Sequence, residues 1–387
     1  MLIAVYLLAT SMIRFADFQP EAEDGAMSEP TEHLILAVDG GGTSTQLSVF
    51  NADIPNTRPL CQLTVGPTSH KAVGEASATR ALQDGLIRLA GEGFMPSHFD
   101  IAVFGLSGID TPDDEIPYRS MIAKAAMPLR EKFRRTVLVS DALLPLFAEG
   151  HSCGITLIAG TGSVSMGLDS HGTLHRAGGW GYGISDMGSG QWIGAEALRS
   201  ILASYDLRGE DFSHRISRES GRRIAMESDE GLNADALLAA EILRAQGIES
   251  MDRLAIWCSN MPGAAATSAL ARTVVHSSSP TAIKIVHRAA SHLAALPIGV
   301  AKRMQSDGSK RIPVVLSGGL FGDERLRKLT IAAIKDKLGE QVKASMSGHD
   351  PAYGAAALGA RILEGEAEPP LFPAMMHGPN RRRATKR

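Results

Sequence analysis

The sequence predicts an α/β protein built of two facing domains, and three observations carry that prediction. Its 387 residues suit two domains of about 100–200 residues each. A unit of buried strand, Gly/Thr turn and second strand occurs twice, at Leu34–Phe50 and again at Ile155–Leu168. A third glycine turn, Ser317-Gly318-Gly319, ends the apolar run Pro313–Leu316. The repeat lies in the pattern of elements rather than in the letters. Two such domains packed face to face would bring their turns onto a shared cleft.

In chain order, Met1–Phe15 is apolar but lacks a basic segment ahead of the apolar run and is too short to span a bilayer. Residues 16–32 are acidic and read as disordered, so 1–32 is taken as an extension, with Met27 as the expected natural start. Leu34–Val38, Gln46–Phe50 and Cys61–Val65 read as strands bounded by glycine or proline turns. Helical spacing of Val73, Ala76, Ala81, Leu82, Leu86 and Leu89 predicts a helix over 71–91. Strands at Ile101–Phe104 and Thr136–Val139 flank a helix over 115–130, and a short helix follows at 142–149.

The second half begins the pattern again. Ile155–Ile158, Val164–Leu168 and Leu174–Ala177 read as strands, and 188–306 as mostly helical. Pro313–Leu316 is a buried strand, 323–337 a helix, and a short strand lies near Val342. The last helix, Ala352–Leu363, is rich in alanine, and residues 366–387 form a basic tail ending in RRRATKR.

Composition excludes more than it selects. A net charge of −3 gives no electrostatic reason to expect nucleic acid or membrane as a partner. Cys61, Cys153 and Cys258 are few, odd in number and far apart, which argues against a disulfide framework or zinc site and suits a reducing cytoplasm.

The chemistry concentrates at strand ends. In Asp39-Gly40-Gly41-Gly42-Thr43, glycines let backbone N–H groups approach an anion without a Cβ in the way, and Thr43 adds a hydroxyl donor. Asp39 is placed for hydrated Mg²⁺, which keeps several waters and needs few carboxylates. Gly160-Thr161-Gly162-Ser163 repeats this chemistry, and Gly318 and Gly319 could admit a flat base close to the backbone. No GxxxxGK[ST] is present and no GxGxxG opens a helix, so neither a P-loop nor a dinucleotide fold is expected.

Asp110 and Asp141 each end a strand, where ligands of open α/β sheets bind. A carboxylate there can take a proton from a hydroxyl attacking a phosphate; it can equally cap the next helix. The densest segment is Ala177–Gly194, with seven glycines in 18 residues. Trp180 and Tyr182 can face a sugar ring, and Asp186 can accept from its hydroxyls or cap the helix that follows. Trp192 and Ile193 read as core. His70, after the Gly66-Pro67 turn, could line the cleft.

Asp39–Thr43, Ser140–Asp141, Ala159–Ser163, Gly178–Gly194 and Ser317–Gly319 together resemble the N-acetylglucosamine kinase group of the BadF/BadG/BcrA/BcrD-type ATPases, within the actin/hexokinase/Hsp70 superfamily. The resemblance runs over residues 33–365, and its most specific part is Gly-Gly-Trp-Gly followed by Asp-x-Gly-Ser-x-x-Trp-Ile. It implies two ribonuclease-H-like (actin-like ATPase) domains closing on ATP–Mg²⁺ and a sugar. The first would cover 33–150 and regain a helix at 351–365; the second would cover 151–350. By motif position, Gly41, Gly42, Thr43, Thr161, Gly162, Ser163, Gly318 and Gly319 would bind nucleotide and Asp39 the metal. Asp141 would be the general base, ahead of Asp110. His70, Asp141, Gly179, Trp180, Gly181 and Asp186 would bind the sugar.

Two departures concern the substrate. Relatives carry a sugar-binding asparagine where His70 stands, and often glutamate where Met187 stands. N-acetylglucosamine is the leading expectation and glucosamine the alternative. Two other classes compete. An activator ATPase would bridge an iron–sulfur cluster between subunits, but the three cysteines do not stand in the matching places. A non-catalytic sugar sensor would bind sugar without turnover. Relatives are often dimers, so a homodimer is the assembly to look for, although no interface is legible.

Overall fold

The computed structural model describes residues 33–54, 57–109, 112–181, 183–209, 212–213, 230–260, 263–304 and 311–365. The expectations for 1–32 and 366–387, and for Asp110 and Tyr182, lie outside the described residues. The described residues belong to one compact unit that begins at His33.

Two five-stranded sheets form the frame. The first contains β1 (Leu34–Gly40), β2 (Thr45–Asn51), β3 (Cys61–Val65), β4 (Phe99–Leu106) and β5 (Thr136–Ser140), in the order β3-β2-β1-β4-β5. The second contains β6 (Gly154–Ala159), β7 (Ser163–Leu168), β8 (Leu174–Gly178), β9 (Ile312–Ser317) and β10 (Val342–Met346), in the order β10-β9-β6-β7-β8. In both, the first three strands form an antiparallel meander and the fourth runs parallel to the first. The internal repeat is therefore a repeat of topology, with β6 in the place of β1. Ile35–Val38 is wholly buried, as expected of a central strand covered on both faces.

Helices cover the outer faces. On the first sheet, α1 (His70–Val73) leads into α2 (Glu75–Gly91), and α3 (Pro112–Ala126) lies beside it. Ala78, Leu82, Leu86 and Leu89 make the buried stripe of α2 against Leu36, Val38 and Phe104. On the second sheet the outer layer contains α5 (Gly190–Arg208), α6 (Glu230–Gln246), α7 (Met251–Ser259), α8 (Ala264–Ala269), α9 (Ala271–His276), α10 (Pro280–Ala301) and α11 (Glu324–Leu338).

Two helices lie between the sheets, α4 (Leu144–Ala148) and α12 (Pro351–Leu363). Their cluster draws Ile35, Ala37, Val103 and Val139 from the first sheet, Met166, Leu168 and Val315 from the second, and Leu144, Phe147, Ala355 and Ala356 from the helices themselves. This placement explains the composition of α12, since a helix that buries most of its surface must be largely apolar, and small where neighbours come close. A Cβ on Gly354 would lie 1.9 Å from the Leu144 carbonyl oxygen, so the two inner helices touch backbone to backbone. Asp350 caps α12 by accepting from the Ala352 N–H at 2.9 Å, and Pro351 stands at the first helical position. The linker ahead of α12 is tied to the end of α4, where Glu149 accepts from the Gly348 N–H at 2.7 Å.

Candidate active site

The first glycine turn joins β1 to β2. Gly41 N–H donates to Ser44 O at 3.0 Å, and Gly42, Thr43 and Ser44 project into solvent. Gly40 is required by contact, because a Cβ there would fall 2.3 Å from Thr68 Oγ1 and 2.4 Å from Leu106 Cδ2. Thr68 also bonds Thr45 through their hydroxyls at 2.8 Å, fixing the base of the turn. Asp39 stands opposite Gln46 in the hairpin and beside Gly105 in the parallel pair. Burial and then the charge of Asp350 push its carboxyl up to about 6. Gln46 Nε2 donates to Asp350 Oδ1 at 3.1 Å, so these three side chains meet where α12 returns to the first sheet.

An under-solvated carboxylate facing a second negative charge suits a bound cation. The nearby donors are oxygens of Asp39, Thr43 and Ser44, a hard set that fits Mg²⁺ and not a soft metal. Among the described residues, no cluster of three His, Cys, Asp or Glu could form a dedicated metal cage.

The second turn, between β6 and β7, is anchored to α5. Gly190 N–H donates to Gly160 O at 2.8 Å, and Gln191 N–H to Thr161 O at 3.2 Å. Ser163, expected to bind nucleotide, has its polar groups engaged within the protein. Ser163 is buried; its N–H donates to Asp186 Oδ1 at 3.1 Å and its hydroxyl to Met187 O at 3.2 Å. Thr161 and Gly162 are left as the groups of this turn that can face a ligand. Asp186 is 7% exposed and adopts φ +61°, and its carboxylate lies against the Gly162–Ser163 turn. It does not cap α5; Ser189 does, accepting from Trp192 N–H at 3.3 Å. Trp192 and Ile193 are core residues, as expected.

The third turn follows β9. Gly318 has φ +101°, and a Cβ on it would lie 2.3 Å from Ala159 O. Only glycine satisfies both restrictions. Gly319 is exposed with open space around it.

A cavity of about 410 Å³ joins the first and third turns. Asp39, Gly41, Gly42, Thr43, Ser44, Gln46, Thr64, Asp141 and Pro145 line it from the first half, Ile158, Ser317 and Gly318 from the second, and Pro351 from α12. A larger cavity of about 610 Å³ outside α3 includes Arg119, Lys124, Met127 and Phe133 but none of the turns or aspartates. Size alone therefore does not select the site. Gln46, Thr64 and Pro351 escaped sequence reasoning, although Gln46 follows from the hairpin register once the turn is placed.

Thr161, Gly162, Gly319, His70, Gly179, Trp180, Gly181 and Asp186 do not line the 410 Å³ cavity. Asp141, at the end of β5, links it to His70 through Tyr118. The Tyr118 hydroxyl donates to Ser107 O at 2.5 Å; burial first, and the charges of Asp141 and Asp114 after hydrogen bonds that oppose it, push that hydroxyl up to about 12. The His70 ring meets Tyr118 edge-on at 4.4 Å, and its Nδ1 is buried without a hydrogen-bond partner. A buried nitrogen of this kind can hydrogen-bond a polar group of a ligand. Trp180 is 63% exposed, beyond Gly178 and Gly179, which both have positive φ.

Two sheets of identical topology, two inner helices and a cleft lined by strand-end turns define the two-domain actin-like ATPase fold. By comparison with known families the chain belongs to the BadF/BadG/BcrA/BcrD ATPase family, whose model matches residues 36–359. It is 29% identical over 178 residues to an N-acetylmuramic acid/N-acetylglucosamine kinase of Clostridium acetobutylicum, covering 46% of this chain and 56% of that protein. It is 29% identical over 189 residues to an N-acetyl-D-glucosamine kinase of Dictyostelium discoideum, covering 46% of this chain and 57% of that protein. The matched stretch thus spans little more than half of either relative. A candidate N-acetylglucosamine kinase from Chromobacterium violaceum has a similar structure, with TM-score 0.58 and 24% identity over 84% of this chain and 99% of that one. Another from Porphyromonas gingivalis gives 0.59 and 17% over 84% and 97%. These two likenesses support the fold. Among the described residues, no helix is long and apolar enough to cross a membrane.

Proposed function

We propose that this chain is an ATP-dependent sugar kinase acting on an amino sugar, with N-acetylglucosamine the leading substrate and its 6-hydroxyl the acceptor. The observation that carries the reading is the cavity whose wall unites the Asp39–Ser44 turn, Asp141 and Gly318 from the two halves. Its volume falls within the roughly 300–1,000 Å³ usual for small-molecule sites. The names of the two sequence relatives favour a hexosamine over other hydroxyl acceptors.

In this reading the backbone of Gly41–Thr43, with Thr161 and Gly162 opposite, cradles the phosphates, and Gly318 lets the rest of the nucleotide approach the β9 turn. Asp39 would hold Mg²⁺, which when bound would supply positive charge to the phosphoryl group in transfer. Asp141 accepts the proton of the attacking sugar hydroxyl. Trp180 presents an apolar ring face to the sugar and Asp186 a carboxylate oxygen to its hydroxyls. Closure of the halves excludes water, which limits ATP hydrolysis without sugar.

The test is ADP release with Mg²⁺ against N-acetylglucosamine, glucosamine, N-acetylmannosamine, N-acetylmuramic acid and glucose. Strong turnover on one hexosamine supports the reading and names the substrate. ATP binding with no sugar-dependent turnover contradicts it.

Two predictions follow from single residues. Gly318→Ala should raise the KM for ATP at least tenfold, because the new methyl must displace the β6 backbone at Ala159; an unchanged KM would take Gly318 out of the nucleotide site. Asp39→Asn should stabilise the metal-free protein while abolishing most turnover. The Asp39 carboxyl in the folded chain titrates at about 6, above its ordinary 3.8, so protonation favours folding. That stabilisation is complete at low pH and is lost as pH rises through about 6. Near pH 8 the amide should therefore raise stability by about 2 kcal/mol, a gain that shrinks toward zero near pH 4. Thermal melts at the two pH values check this, and an equal effect at both would contradict it.

A further inference from the structure

The loop that carries Trp180 raises a physical problem that its own residues do not solve. Gly178, Gly179, Gly181 and Gly183 all have positive φ, and Trp180 between them is 63% exposed. A glycine-rich segment has the largest backbone freedom to lose, and an exposed indole has few contacts to hold it. Such a ring would sample many orientations, and any ligand that stacks on it would have to order it first.

Arg176, two residues before this run on β8, supplies the missing restraint. Its Nε donates to Gly178 O at 3.2 Å, and its Nη2 donates to Gly179 O. The same guanidinium lies over the Trp180 ring, with Cζ 5.1 Å from the ring centroid. One planar group thus grips two successive carbonyls and one face of the indole, which a flexible ammonium could not do at once. Gly179 is part of the fit, since a Cβ there would lie 2.8 Å from Nη2. Arg176 is itself held, because Arg303 near the end of α10 donates to its carbonyl oxygen. With one face of the ring covered by the guanidinium, the opposite face is left for a ligand.

We propose that Arg176 is a positioning residue for sugar binding, clamping the Gly178–Gly179 turn and one face of Trp180 so that the other face is preset to receive the sugar ring. The proposal rests on the sugar-kinase reading and goes beyond it, because Arg176 touches neither sugar nor nucleotide in this role. It acts by reducing the ordering that sugar binding would otherwise require.

The experiment joins kinetics to a direct view of the indole. The full chain is labelled with 5-fluorotryptophan, and the resonance missing from Trp180→Phe identifies Trp180 among the three tryptophans. Arg176→Gln, which removes the charge and the fork, is compared with Arg176→Lys, which keeps the charge over the ring. In sugar-free Arg176→Gln protein the Trp180 resonance should shift and sharpen toward that of a mobile ring, while the Trp192 and Trp257 resonances stay in place. The KM for the sugar should rise about tenfold with the KM for ATP within twofold, and Arg176→Lys should fall between Arg176→Gln and the native chain. An unmoved Trp180 resonance overturns the proposal, as does a sugar KM within twofold of native. Parallel rises in both KM values overturn it too, since they mark general loosening of the second half. If Arg176→Gln fails to fold, Arg176→Lys carries the same comparison. If the native chain turns over no sugar, the kinase reading fails by itself; a Trp180 resonance unaffected by Arg176→Gln would then refute the clamp separately.

Discussion

Asp141→Asn should lower kcat by about 10²–10⁴, the range for loss of a general base, while both KM values stay within about threefold. The asparagine keeps the size and polarity of the side chain at the end of β5 but cannot accept the proton of the attacking hydroxyl. Asp141 lines the cavity with the Asp39–Ser44 turn and also acts electrostatically on Tyr118, beside which His70 lies. It thus lines the cavity and lies within electrostatic reach of Tyr118. Steady-state kinetics check the split between kcat and KM. A near-normal kcat would remove Asp141 as the base and turn attention to Asp110.

Gly354→Ala should have the largest effect on stability. The inner layer has no slack, because α12 meets α4 through backbone, with the position of the new methyl 1.9 Å from Leu144 O and 2.9 Å from Ala148 N. Neither neighbour is a side chain that can rotate away. The helices must separate, and with them the two sheets that share their core. Overpacking of this kind costs about 1–3 kcal/mol, and rigid neighbours place this site at or above the upper end. Thermal melts should show a midpoint several degrees below native. Gly319→Ala, which meets open space, is the control and should leave the midpoint near native. Equal midpoints for the two variants would contradict the packing described here.

Much of this arrangement was legible in the residues. The paired strand–turn–strand units and the buried Pro313–Leu316 strand announced the repeated topology, because strand ends rich in glycine are local signals. The alanine-rich last helix was visible as a helix, and the family resemblance implied its return to the first domain, but its place between the sheets was not legible, since contact with both sheets is a tertiary fact. The partner of Ser163 was not legible for a related reason. The letters match a phosphate turn, yet Asp186, far along the chain and bent back at φ +61°, occupies the Ser163 N–H. Arg176 left no signal in sequence, because an arginine in a strand is ordinary until the loop it holds is placed; Asp350 before Pro351 is a helix-start signal, but its meeting with Asp39 was not legible.

The most direct test of the central claim is phosphorus and proton NMR of a mixture of this protein, ATP, Mg²⁺ and N-acetylglucosamine. A sugar kinase yields ADP and a hexosamine 6-phosphate in equal amounts, with little inorganic phosphate. ADP with inorganic phosphate and an unmodified sugar would show an ATPase that is not a sugar kinase, and would contradict that claim.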